Sequence, residues 1–105
     1  MTADELARAI AGGQPPVVLD VRTPAEFAAG HVPGAVNIPF NQIGPRAGEI
    51  PAAHDAVVVV YCGHGPRAWL AARALRARGF SKVQLLKGHW AGWRKNGPGR
   101  FLRKP

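Results

Sequence analysis

Val57-Val58-Val59-Val60-Tyr61 runs directly into Cys62-Gly63-His64-Gly65-Pro66-Arg67, and from there into a stretch rich in alanine, leucine and arginine, Ala68 to Arg78. Four valines and a tyrosine in a row show no polar alternation. Such a segment suits a central strand covered on both faces, as in parallel sheets. Ala68 to Arg78 is helical in composition, with Leu70, Ala71, Ala74 and Leu75 on the predicted apolar stripe and Gly79 as its C-cap. A strand that turns through two glycines into a helix is the start of a parallel α/β unit.

The flanking sequence repeats that alternation. Toward the N-terminus, Thr2 and Glu5 have capping-box spacing ahead of Leu6, Ala9 and Ile10 on one helical face. Gly12-Gly13 and Pro15-Pro16 end that helix. Val17 to Val21 reads as a buried strand, Pro24 to Phe27 as a short helix ending near Gly30, and Ala35 to Ile38 as a brief strand closed by Pro39. Residues 41–56 are rich in glycine and proline, with one irregular helical turn at most. Val83 to Leu86 is the last predicted strand, and the segment from Gly88 onward is rich in glycine, tryptophan and basic residues.

The chain has 105 residues, which fits a single domain. Its one cysteine excludes an internal disulfide and any multi-cysteine zinc or iron–sulfur site, and the expectation is no metal and no cofactor. No apolar run approaches the ~20 residues of a membrane span, and Asp4 and Glu5 do not suit a secretory leader. A reducing, cytoplasmic setting is expected. The formal charge of +8 is unevenly placed: residues 1–61 carry three arginines against all six acids, a net −3, whereas residues 62–105 carry eleven cations and no acid, a net +11. Cys62 stands at that boundary.

The setting of Cys62 favours thiolate over thiol. A helix N-terminus carries unpaired N–H groups and about half a positive charge. Gly63 and Gly65 permit backbone conformations that aim amides inward as an anion nest, and Arg67 adds a permanent charge with a fork of donors. Pro66 removes one N–H but presets the helix start. A small buried cysteine at a tight turn is the plainer reading of a lone Cys; the glycines, the arginine and the helix start turn it toward a nucleophile. His64 is either an exposed loop residue or a residue near the substrate.

At these residues the chain resembles the rhodanese, or thiosulfate sulfurtransferase-like, family. Cys62 to Arg67 is similar to its loop pattern C-x-x-G-x-R. Leu19 to Pro39 is similar to D-V-R-x-x-x-E-F-x-x-G-H-I-x-G-A-x-N-I-P. Gly79-Phe80 with Val83, Leu86, Gly88 and Trp93 resembles its closing segment. The likeness runs from residue 4 to about residue 97, so a single domain over 1–97 and a basic tail over 98–105 are expected. Two departures stand out: His89 occupies the place of the family's frequent second glycine, and the short N-terminal edge strand that many members carry is not expected here.

The resemblance implies a three-layer α/β/α fold with a mainly parallel sheet of four or five strands, ordered 83–86, 57–61, 17–20, 35–38. It implies that Cys62 takes a sulfane sulfur from a small anionic donor such as thiosulfate and passes it to a thiol, or to cyanide. Gly63, His64, Gly65 and Arg67 would cradle the donor. Asp20 and Arg22 would brace the loop from behind, or Arg22 would instead pair with Glu26. His31 is expected to fix its own turn, and Trp93 to pack in the core, with Trp90 beside it or on the pocket wall. The competing phosphatase and arsenate-reductase loops run C-x5-R, whereas Cys62 to Arg67 is C-x4-R.

A second reading makes the domain a persulfide relay to a protein or tRNA-modifying partner. Trp69, Arg73 and Arg76 share a helix face. With Arg94, Lys95, Arg100, Arg103 and Lys104 they would form a surface for nucleic acid or an acidic partner. A solvated basic face accounts for the same residues and is favoured over nucleic-acid binding.

Overall fold

The computed structural model describes residues 1–96. In chain order they form α1 (Ala3–Ala11), β1 (Val17–Asp20), α2 (Pro24–Ala29), β2 (Val36–Asn37), α3 (Ile43–Arg46), β3 (Val57–Tyr61), α4 (Pro66–Ala77), β4 (Lys82–Leu85) and α5 (His89–Asn96). Two capping boxes set the first helix starts. Thr2 and Glu5 exchange side-chain-to-backbone bonds at α1, and Thr23 and Glu26 do the same at α2. At the far end of α4, Gly79 takes φ +97°, and the Phe80 N–H reaches back to the Leu75 carbonyl at 3.1 Å. That left-handed turn is cheap only for glycine.

The four strands are all parallel, in the order β2-β1-β3-β4. This is the predicted order. Register places Asp20 beside Tyr61 and Leu19 beside Val60, so the C-terminal ends of β1 and β3 lie together. The valine run is covered on both faces. Val58 and Val60 pack with Ile43, Ala71, Ala72 and Leu75 on one side; Val59 and Tyr61 pack with Leu6, Ala7, Leu86 and Trp93 on the other. Helices α3 and α4 thus form one outer layer and α1 and α5 the other. Among the described residues no helix is long and apolar enough to cross a membrane.

Three local expectations need correction. The buried stripe of α4 is Ala68, Ala71, Ala72 and Leu75, whereas Leu70 is 46% exposed. Alanines let the helix lie close to the sheet, and Leu70 sits about 100° round the axis from Ala71, off that close-packed line. Residues 40–49 are more helical than their glycines and proline suggest, with 3₁₀ turns at Phe40–Gln42 and Ala47–Glu49 flanking α3. Ile43 and Ile50 bury against the α4 face and hold those turns. Finally, α5 has no sequence forecast behind it. Its Gly92 and the short length of the segment are weak helix signals, and burial of Trp93 overrides them. Of the basic tail predicted over 98–105, nothing falls within the described residues.

The packing makes opposite forecasts for two leucines on α4. Leu75→Ala should cost about 2–5 kcal/mol by urea denaturation, as deletion in a closed core does. Leu70→Ala should stay within about 0.5 kcal/mol of the parent. Equal losses would show that the stripe is misassigned.

Candidate active site

Cys62 follows the last residue of β3, and the loop 62–65 turns at Gly65 into the first turn of α4. Gly65 caps the helix at φ +133°, and a Cβ there would lie 3.4 Å from the His89 ring. Its N–H donates to Cys62 Sγ at 2.9 Å. The loop carbonyls face the other way: the Trp90 N–H donates to the Cys62 carbonyl at 2.9 Å, and the Ala91 N–H to that of Gly63 at 3.3 Å. In a planar trans peptide the N–H opposes the C=O. Tying those two carbonyls to α5 therefore turns the N–H groups of Gly63 and His64 the opposite way, away from α5. Two helix N-termini shape the loop, α4 continuing it and α5 gripping its outer edge.

Cys62 is only 1% exposed, and the Gly63 backbone is buried with it. His64 is exposed at the loop's surface. Arg67 points back toward Gly63, its Nη2 lying 3.3 Å from where a Cβ on that glycine would stand. The same guanidinium donates to both oxygens of Glu26, at 2.8 and 3.2 Å. The expected alternative of an Arg22–Glu26 pair is therefore overturned. Arg67, together with the Thr23 cap, pulls the Glu26 carboxyl from 4.5 down to about 2.

Arg22 has turned inward instead. Its Nε and Nη2 grip the Asp20 carboxylate at 2.6–3.1 Å, its backbone N–H adds a bond to Asp20 at 3.0 Å, and Nη2 continues to the Gly30 carbonyl at 2.7 Å. Asp20 also accepts from the Tyr61 hydroxyl at 2.7 Å, and that hydroxyl accepts from the Val32 N–H at 3.0 Å. Burial and the neighbouring Asp20 carboxylate raise the Tyr61 phenol well above its usual range, so it stays a donor. Asp20 and Arg22 thus reach the loop through Tyr61, the residue before Cys62. The Arg22 guanidinium also lies 4.8 Å from the Trp90 ring centre.

His31 turns to its own helix end, with Nδ1 at 2.7 Å from the Phe27 carbonyl and its ring stacked on Phe27. Trp93 is a core residue, and Trp90 packs partly buried against the same cluster. On α4, Arg73 stacks over exposed Trp69 at 5.3 Å, while Arg76 bonds the Val83 carbonyl. Arg94 and Lys95 are exposed on α5, and Arg100, Arg103 and Lys104 lie outside the described residues. Sequence reasoning overlooked three contributors: Glu26 as partner of Arg67, Tyr61 as the link to the loop, and His89, which accepts a bond from the Cys62 N–H at 3.3 Å. Only the glycine position that His89 replaces carried a signal. Among the described residues no cluster of His, Cys, Asp and Glu has the make-up of a metal site.

A model of the rhodanese-like domain matches residues 2–96 of this chain. A sulfurtransferase of Allochromatium vinosum is 35% identical over 95 residues, covering 90% of this chain and 87% of that protein. The thiosulfate sulfurtransferase GlpE of Pseudomonas entomophila is 36% identical over 83 residues, covering 79% and 74%. The crystal structure of the Alr3790 protein from Anabaena superposes with a TM-score of 0.83 at 30% identity, covering 92% of this chain and 87% of that one.

Two outcomes follow from this geometry. Asp20→Ala should cost about 3–5 kcal/mol in chemical denaturation, because it strands a buried guanidinium. The Glu26–Arg67 pair acts with the opposite economy of scale: it is partly exposed, and its stabilisation should stay below ~1 kcal/mol. That contribution is complete above pH 4.5 and fades as pH falls toward about 2, since the folded carboxyl holds its proton more weakly than the unfolded one. Carbon-13 NMR of Glu26 should show a lowered value in the parent and an upward move in Arg67→Ala, with the Thr23 cap keeping the rest of the depression. A parent carboxyl titrating at 4.5 would show that the pair does not form.

Proposed function

This chain belongs to the rhodanese-like sulfurtransferase family, and from that membership we propose that it carries a sulfane sulfur from thiosulfate, or a low-molecular-weight persulfide, through Cys62 to a thiol or cyanide acceptor. The observation that carries this reading is the Gly65 N–H donating to Cys62 Sγ at 2.9 Å inside a C-x4-R loop. A donor aimed at the sulfur stabilises charge where it develops.

The Cys62 thiolate attacks the outer sulfur of thiosulfate. An Sγ–S bond forms as the bond to the sulfonate sulfur breaks, and sulfite leaves with the electron pair. An acceptor thiolate then attacks the outer sulfur of the persulfide, and the Cys62 thiolate returns with its own electron pair. No external oxidant is needed, and splitting the transfer lowers each barrier. The burial of Cys62 suits a slim donor and means that the projecting outer sulfur meets the acceptor. Gly63, His64 and Gly65 supply loop amides, and Arg67, steadied by Glu26, supplies positive charge at the loop's end. Asp20 and Arg22 hold Tyr61 and so the start of the loop. With no second cysteine in the chain, the acceptor thiol comes from another molecule. A reducing compartment such as the cytoplasm suits a free nucleophilic thiol.

A protein persulfide acceptor is the second reading, favoured by Trp69 at 53% and Leu70 at 46% exposure beside Arg73, one turn beyond the loop. Nucleic acid is not favoured. A phosphatase or arsenate reductase is disfavoured because its loop spans one residue more to encircle a tetrahedral oxyanion.

Incubation with thiosulfate should add about 32 Da, one sulfur, to the intact protein, and Cys62→Ala should abolish the gain. Arg67→Ala should lower kcat/KM for thiosulfate by about 10²-fold. Turnover of phosphate esters with no mass gain would overturn the reading.

A further inference from the structure

His89 opens α5 at φ +51°, the one non-glycine residue with a positive φ among those described. A side chain held in the left-handed region costs energy that the surroundings must offset, and such outliers concentrate at functional sites. The strained backbone places the imidazole on the candidate loop. Nδ1 accepts from the Cys62 N–H at 3.3 Å, and Nε2 lies 3.4 Å from where a Cβ on Gly65 would stand. With the Trp90 N–H on the Cys62 carbonyl, α5 holds both backbone groups of the cysteine.

Acceptance at Nδ1 requires a neutral ring with its proton on Nε2. Half-burial favours that form, and the charge of His64 pushes the same way. Around α5 the other ionisable groups are the Cys62 thiol, Arg67 at the start of α4, Lys87 before α5, Arg94 and Lys95 in its last turn, Asp4, Glu5 and Arg8 on α1, and the Asp20–Arg22 pair beneath Trp90. Glu26, the carboxylate at the loop, is already taken by Arg67. Among the described residues no carboxylate bonds the ring to hold an imidazolium.

We propose that His89 is a positioning residue for Cys62: the neutral ring clamps the cysteine amide and packs on the Gly65 turn, and its protonation releases both, setting an acid limit on sulfur transfer. Protonated Nδ1 would present a donor to a donor, so the Cys62 amide loses its partner and the ring must leave. The link to sulfur transfer rests on the function proposed above, whereas the clamp itself does not.

Two substitutions separate the effects. In His89→Asn, Oδ1 stands the same number of bonds from the backbone as Nδ1, accepts without titrating, and asparagine tolerates left-handed backbone. His89→Gly relieves the strain but removes the acceptor.

In the parent, the Cys62 amide resonance should shift with the same midpoint as the His89 ring in NMR titrations, and in His89→Asn it should be flat over that range. Single-turnover sulfur uptake from thiosulfate should fall with a limiting slope of two in log rate against pH on the acid side, one proton for the thiol and one for His89. The slope should drop to one in both variants. His89→Gly should lose about tenfold at the high-pH plateau, which Asn restores. A parent Cys62 amide unresponsive to His89, or a slope of two persisting in His89→Asn, would overturn the proposal. If even the parent takes up no sulfur, the sulfur-transfer reading fails, and the NMR titration still decides the clamp.

Discussion

The buried Asp20–Arg22 pair, closed by the Tyr61 hydroxyl, is the constraint on which the rest of the structure depends. Removing two charges from water costs several kcal/mol per ion, so this pair is tolerated only because its geometry is nearly saturated. The carboxylate accepts from a forked guanidinium, a backbone N–H and a phenol; the guanidinium goes on to the Gly30 carbonyl. The Asn37 side chain meanwhile bonds the Asp20 and Arg22 carbonyls. One network thereby joins β1, β2, β3 and the turn after α2, and its cation lies over Trp90 of α5. Its value lies in register: Tyr61 cannot slip along β1 without leaving a buried hydroxyl and the Val32 N–H unpaired and the buried Asp20 carboxylate one donor short, so Cys62 emerges from the sheet at a set place.

From that anchor the charge distribution becomes intelligible. The acid-free half supplies Arg67 at the Cys62 loop, yet that arginine is paired with Glu26 from the acidic half. The donor on the sulfur is backbone, the Gly65 N–H, and the loop amides before it are oriented because their carbonyls are bonded to α5. Oriented amides need not reorganise when charge appears, which a mobile surface arginine must do. Glu26 also caps α2, so a single carboxylate couples that helix start to the loop.

Much of this was legible in the linear sequence because it arises from local rules. The unbroken valine run specified a doubly covered strand, the Thr2/Glu5 and Thr23/Glu26 spacings specified helix starts, and Gly79 specified a helix end. What misled was also local in origin. Leu70 looked like core because it is leucine, but the close approach of α4 selects alanine and turns Leu70 outward. The α5 segment looked like tail because it is short and holds Gly92; Trp93 finds its burial only once the sheet exists.

The sequence by itself therefore determined the α/β class, the strand order through the family resemblance, and the placement of Cys62 at a strand end before a helix. Capping, periodicity and steric preference act within a few residues and can be read in order. Only the tertiary structure decided that Arg67 pairs with Glu26, 41 residues away, that Arg22 pairs with Asp20, and that His89 and Trp90 grip Cys62 from 27 and 28 residues downstream. Those choices were open because each charged or polar group had several chemically equivalent partners in the chain. Burial and the parallel register left each of them one within reach.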